Sequence, residues 1–172
     1  MKLSQYIKAT VMTGGLMMSL VVGASAQENT LVRVNTTYGS FTIELFDNDT
    51  PATVANFLGY VDRGDYSRSF FHRSQPDFVI PGGGYRWRGD CATGMDPASC
   101  SVTLINQQPV VKNEPGISNT RGTLAMAKQG GIPDSATSQW FVNMSDNSEN
   151  LDNQNGGFTA FGRVLGDGLS VL

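Results

Sequence analysis

The sequence predicts a mainly β domain, a closed or sandwiched antiparallel sheet with few helices, and three observations carry that reading. Apolar and polar residues alternate along LVRVNTTYGSFTIELF, residues 31–46. Several further short apolar runs are separated by Gly-, Asn- and Asp-rich turns. One segment alone, residues 51–62, has clear helical spacing, so the chain does not read as repeated βαβ units.

The first 26 of the 172 residues stand outside the fold. Lys2 and Lys8 lead into an apolar run from Ala9 to Gly23, and Ala24-Ser25-Ala26 has the small-x-small pattern of a signal-peptidase site. Residues 1–26 therefore read as a signal peptide, with Gln27 as the mature start. The run falls short of the roughly 20 apolar residues of a membrane span and is broken by Thr13-Gly14-Gly15.

In residues 31–46 the alternation continues on both sides of Tyr38-Gly39-Ser40, as in a hairpin with one buried face. Asp49 or Thr50 can cap a helix over 51–62 that has Pro51 at its first position. Val54, Phe57, Leu58 and Val61 give its apolar stripe, and Gly64 ends it. Further strands are expected at 69–73, 77–80, 122–127, 139–143 and 159–164. Residues 85–112 read as one long irregular segment.

About 146 residues remain after the leader, enough for one domain with a sizeable core. Loss of Lys2 and Lys8 takes the formal charge from −3 to −5, a poor match for nucleic acid. Eight residues separate Cys91 and Cys100, without CxxC spacing or a further Cys or His nearby. In an exported chain they suit a disulfide that staples a loop, or two free thiols.

The absences narrow the chemistry. With one histidine, His72, and no GxSxG, HExxH, Walker or GxGxxG pattern, hydrolase, metalloenzyme and nucleotide-binding readings have no anchor. Gly82-Gly83-Gly84 is not followed by GK[ST], so it is a weak phosphate loop. Glu44, Asp47 and Asp49 fit the solvated face and end of a hairpin better than an acid/base pair. Arg73, Phe78, Gln139, Phe141 and Phe158 form instead a neutral, aromatic-rich set with isolated donors. Such a set suits an uncharged peptide segment and a reaction that breaks no covalent bond.

Three ordered motifs, FFHRSQPDFVIPGGG, NTRGTLAMAKQGG followed by SATSQWFVN, and LDNQNGGFTAFGRV, resemble the cyclophilin-type peptidyl-prolyl cis-trans isomerases, particularly the bacterial periplasmic members. The resemblance runs from Leu31 to the chain end. It implies a closed eight-stranded antiparallel β-barrel with capping helices, and an isomerase domain over 27–172. It implies also that the C-terminal helix and last strand are truncated after Leu172. The expected activity is rotation about X–Pro bonds in unfolded or exported polypeptides of the periplasm, by a monomer needing neither cofactor nor metal and binding neither nucleic acid nor, once the leader is cleaved, membrane.

By the same resemblance Arg73 is the catalytic arginine, and a guanidinium supplies fixed, always-charged donors. Phe78, Phe141 and Leu151 match the proline-ring pocket. Val79 falls where a methionine is often found, and Phe158 where many members have histidine. Gln139 matches the glutamine that orients substrate and supports the arginine; Ala127, Lys128 and Gln129 match the segment that contacts the extended peptide through its backbone. His72 is the motif histidine, a supporting residue, since isomerisation needs no base.

Two positions depart from the pattern. Pro81 stands where the family usually has a second glutamine bonded to the arginine, which implies reduced activity. Asn150 replaces an aromatic residue. A catalytically weak peptide-binding or chaperone module is therefore the alternative expectation, and a truncated chain that does not fold stably alone is a third.

Overall fold

In the computed structural model, residues 28–88 and 101–172 are described; the expected signal peptide and the expected Cys91–Cys100 pairing lie outside them. The hairpin forms where the alternation predicts it. Strand β1 (Leu31–Thr36) pairs antiparallel with β2 (Gly39–Leu45), and Val32 and Val34 oppose Ile43 and Phe41. Phe41, Ile43 and Leu45 are buried, one face of β2. The turn lies earlier than expected, closing at Thr36↔Gly39. The Thr36 hydroxyl sets it by accepting the Tyr38 N–H at 3.1 Å and donating to the Gly39 carbonyl at 2.8 Å.

Helix α1 (Pro51–Asp62) has the predicted bounds and starts with Thr50 at its N-cap position. Its capping bonds come from elsewhere. The Glu114 carboxylate accepts the Ala52 and Thr53 N–H groups at 3.1 and 2.8 Å and the Thr53 hydroxyl at 2.7 Å, whereas Thr50 donates backwards to the Phe46 carbonyl. Val54 and Phe57 are buried as expected. Tyr60, outside the expected stripe, is buried too, and its hydroxyl accepts the Gln108 N–H at 2.7 Å.

Four of the remaining strand expectations hold with shifted ends: β3 (Val79–Gly82), β6 (Thr123–Met126), β7 (Trp140–Asn143) and β8 (Ala160–Val164). The start of β3 moves because Asp77 takes a left-handed φ of 57° in a turn closed by Phe78 N–H to Gln75 O. Residues 69–73 are not a strand. Ser69 makes a single bridge to Arg86, and the rest runs as a loop along β3. Conversely, the segment read as irregular contains β4 (Tyr85–Trp87) and β5 (Val102–Leu104), an antiparallel ribbon whose strands are too short and too far apart in sequence for alternation to register. A one-turn helix, α2 (Ser148–Leu151), is also unforeseen.

Six strands form one antiparallel sheet in the order β1-β2-β8-β6-β7-β3, and β4-β5 stands apart. The sheet is therefore open, where a closed eight-stranded barrel was expected. At one edge, β1 alternates between exposed and half-buried residues. At the other, the loop supplies only His72 N–H to Pro81 O at 3.3 Å and Gln75 N–H to Val79 O at 3.2 Å. Pro81 fits this edge: its carbonyl points to the loop, so its missing N–H faces the same way and costs no bond to β7.

The central strands β6 and β7 are buried on both faces, and their two-residue period splits the core. Leu124, Met126, Trp140 and Val142 join Phe41, Ile43, Phe57 and Phe161 beneath α1. Ala125, Phe141 and Ala160 point the other way and pack with Val79 and Leu151. A bulge in the β6–β8 pairing lets Phe161 face α1 while Ala160 and Gly162 hold the ladder. The second, smaller apolar cluster is where the candidate residues gather. Among the described residues no helix is long and apolar enough to cross a membrane.

Candidate active site

The second face of the sheet forms the floor. Phe141 of β7 meets Phe158 edge to face, with centroids 5.9 Å apart. Phe78, Val79, Ala127 and Leu151 belong to the same apolar cluster. Six of the eleven sequence-predicted site residues thus converge from five separate places in the chain. Asn150 lies beside Leu151 but is exposed, and its carbonyl oxygen accepts the Gln154 amide at 2.7 Å, so no aromatic wall stands there.

A buried polar network fixes these walls. Asn147 Nδ2 donates to the Phe78 carbonyl at 3.0 Å and to Asn143 Oδ1 at 2.8 Å. Asn143 Nδ2 donates to Asn119 Oδ1 and Thr123 Oγ1. Asn119 Nδ2 in turn donates to the Phe158 carbonyl at 2.9 Å and to the Asp152 carboxylate at 2.8 Å. Asn119, Asn143 and Asn147 were not foreseen as site residues. Their signal is weak but real: Asn143 ends a strand buried on both faces, and a buried amide must find partners.

Along one rim run Ala127, Lys128 and Gln129. Ala127 N–H is spent on the Gln139 carbonyl at 2.9 Å, and Gln129 donates to Ser135 Oγ while accepting from Asn155 Nδ2. The Ala127 carbonyl and the Lys128 N–H and carbonyl join no hydrogen bond among the described residues, leaving two acceptors and a donor for an extended chain. Lys128 Nζ curls back to the Asn155 and Gly157 carbonyls at 2.9 and 2.6 Å and lies 4.8 Å from the Phe158 ring centroid. Burial lowers its ammonium below the ordinary lysine range, the Asp134 charge opposing.

Arg73 lies in the exposed loop that His72 and Gln75 fasten to β3. Its guanidinium makes no hydrogen bond or ion pair among the described residues, so all its donors are available. Gln139 is half-buried with its side chain against Gly84, and its amide does not bond Arg73. The resemblance pairs those two residues; no hydrogen bond joins them in this structure. His72 sets its ring against Tyr85, centroids 5.1 Å apart, and burial first, then the Arg73 charge, lowers its pKa below the usual 6.5. Tyr85 is a further contact that the sequence reading missed.

The glycine run is explained by packing. Gly83 adopts φ +70°, and a Cβ there would meet the Ser138 carbonyl at 2.5 Å; a Cβ on Gly84 would press the Gln139 side chain at 3.0 Å. Glu44 pairs with Arg163 at 2.6 Å, and Asp47 accepts both Thr30 N–H and its hydroxyl. Both carboxylates serve the hairpin, as expected, and neither faces this site.

The comparisons with known proteins agree with one another. The family model described as cyclophilin type peptidyl-prolyl cis-trans isomerase/CLD matches residues 31–172. A peptidyl-prolyl cis-trans isomerase of Acinetobacter baylyi is 37% identical over 166 residues, 96% of this chain and 79% of that protein. Peptidyl-prolyl cis-trans isomerase B of Escherichia coli is 38% identical over 148 residues, 83% and 81% of the two chains. A crystal structure of a Cryptosporidium parvum cyclophilin type peptidyl-prolyl cis-trans isomerase in the presence of the dipeptide Ala-Pro superposes with a TM-score of 0.63 at 27% identity, covering 83% of this chain and 84% of that one.

Proposed function

Because this chain belongs to the cyclophilin-type peptidyl-prolyl cis-trans isomerases and is an isomerase of X–Pro peptide bonds, we propose that it acts on proline-containing segments of unfolded, exported polypeptides in the periplasm, as a monomer. Arg73 is the catalytic donor in this reading. The apolar cluster of Phe78, Phe141, Leu151 and Phe158 holds the proline ring.

Rotation about a peptide bond faces a barrier of about 18–20 kcal/mol, because resonance gives C–N partial double-bond character. Unassisted X–Pro exchange takes tens to hundreds of seconds. In the twisted state the proline nitrogen regains its lone pair and accepts a hydrogen bond it cannot accept when planar. A donor aimed at that nitrogen therefore stabilises the transition state and not the ground state. The apolar floor holds the ring while the Ala127 carbonyl and Lys128 N–H pin the flanking chain, so the bond between them rotates. No proton is transferred, and His72 acts by shaping the loop beside Arg73.

The single observation that carries this reading is the unspent Arg73 guanidinium on a loop fastened to β3, the strand whose Val79 belongs to the preformed apolar cluster. NMR exchange of a proline tetrapeptide tests it. Wild type accelerates exchange, Arg73→Ala removes about two orders of magnitude from kcat/KM, and Arg73→Lys recovers little, since an ammonium is a point donor without the planar fork. Full turnover in Arg73→Ala would sink the mechanism.

A further inference from the structure

Next to Arg73 lies an apolar surface that a proline site does not need. Cross-strand partners in an antiparallel pair share a face, so Tyr85 and Leu104, and Trp87 and Val102, point to one side of the β4–β5 ribbon. Phe70 stacks on Tyr85 at 6.3 Å and extends that face. Phe70 and Trp87 are each 37% exposed, Val102 45% and Leu104 61%. Large apolar side chains so grouped, rather than scattered, mark an interaction surface. Arg86 projects from the ribbon's other face, Arg88 follows two residues later, and Arg68 lies next to Ser69, which bridges Arg86; none of the three is in an ion pair among the described residues. In a chain of net charge −3 this is a local excess of positive charge.

We propose that this ribbon face is a second binding surface for the polypeptide substrate, taking a flanking stretch of apolar side chains interspersed with carboxylates. The proposal rests on the isomerase reading above. Continuity identifies the occupant. The Tyr85 ring touches His72, Trp87 N–H donates to the Arg68 carbonyl at 2.9 Å, and Ser69 bridges Arg86. Ribbon and Arg73 loop are thus joined through one short stretch of backbone. An unfolded chain that places X–Pro at Arg73 continues across neighbouring surface at about 3.3 Å per residue. Three residues beyond the site therefore match the length of one ribbon strand. Aromatic and aliphatic side chains bury against this face, while the local excess of positive charge from Arg68, Arg86 and Arg88 favours carboxylates and disfavours lysines in the same segment.

The test compares three peptides with the same Ala-Pro centre on the full chain: a tetrapeptide, a version extended on both sides by Leu, Phe and Glu, and the same extension with Lys for Glu. Wild type binds the acidic extended peptide about tenfold more tightly than the tetrapeptide, and the lysine version more weakly. Trp87→Ser and Leu104→Ser each lower affinity for the acidic extended peptide about three- to tenfold and leave tetrapeptide kcat/KM unchanged. Equal affinity for short and extended peptides in wild type overturns the proposal. So do unchanged affinities in both folded variants, or a sedimentation dimer that Trp87→Ser dissolves, which would assign the face to a second copy of the chain. Ribbon-dependent binding without acceleration of any peptide would defeat the isomerase reading alone; acceleration without a preference for length would defeat the ribbon alone.

Discussion

Asn147 Nδ2 donates to the carbonyl oxygen of Phe78 at 3.0 Å, tying the turn before α2 to the loop that carries a wall of the proposed proline pocket. The same amide reaches Asn143, and through Asn119 the network ends on the Phe158 carbonyl. Asn147→Ala leaves Asn143 Oδ1 unpaired and the Phe78 carbonyl with the Met144 N–H alone, at a cost of about 1–3 kcal/mol for a buried group. The expected result is a KM raised several-fold with kcat little changed, plus a lower Tm. A variant that lost stability while keeping wild-type KM would show the network to be structural support only.

His72 gives a pH dependence whose sign is set. Burial, and secondarily the Arg73 charge, hold its folded pKa below 6.5. Between that lowered value and 6.5 the unfolded chain binds more protons than the folded one. This contribution to stability is fully present above about 6.5 and is lost as pH falls through the folded midpoint. An NMR titration should find the midpoint below 6.5 in wild type. In Arg73→Ala the midpoint should rise without reaching 6.5, because burial is the larger cause and remains. No shift in the variant would place the guanidinium away from the imidazole. Since no proton moves in the reaction, kcat/KM should be flat above this window.

Pro81 predicts a gain of function. It supplies no side-chain donor or acceptor beside Arg73, and Gln139 does not bond that arginine either, so nothing among the described residues orients the guanidinium. Pro81→Gln can add one hydrogen bond to it, worth about 0.5–1.5 kcal/mol net, or about two- to tenfold in kcat/KM. The backbone tolerates the change because position 81 donates nothing to β7. Loss of the proline costs about 0.4–1 kcal/mol through the unfolded state. Faster exchange with a slightly lower Tm is the expected pair of readouts.

The elements legible in the sequence are those whose signals are local. The hairpin shows in the alternation of Val32, Val34, Phe41, Ile43 and Leu45, and α1 shows in its proline start and apolar stripe. The aromatic cluster was legible through three family motifs, and those residues do converge. What sequence missed is long-range. Glu114 caps a helix that begins 63 residues earlier, β4 finds β5 across the 14 residues 88–101, and Asn119, Asn143 and Asn147 acquire meaning only once β6, β7 and α2 are adjacent. Closure of the sheet was inferred from likeness, and the edges at β1 and β3 are set by pairing that no short window of residues records.

Two neighbouring residues, Asn113 and Glu114, separate stability from function. Thr50 gives α1 no side-chain cap, so Glu114 alone satisfies the Ala52 and Thr53 N–H groups, with its negative charge at the positive end of the helix dipole. Glu114→Ala is expected to cost about 1–2 kcal/mol, or a Tm lower by roughly 2–4 °C per kcal/mol. Peptide kcat/KM should be unchanged, because α1 packs on the face away from the pocket. Glu114→Gln keeps an acceptor and should fall between. Asn113 faces the other way: its Nδ2 donates to the Gly156 and Gly157 carbonyls at 2.8 and 2.9 Å and its Oδ1 accepts the Thr159 hydroxyl, holding the loop that presents Phe158. Asn113→Ala should therefore raise KM several-fold at a similar cost in stability. Identical KM values in the two alanine variants would show that the Gly156–Phe158 loop does not depend on Asn113 for its position.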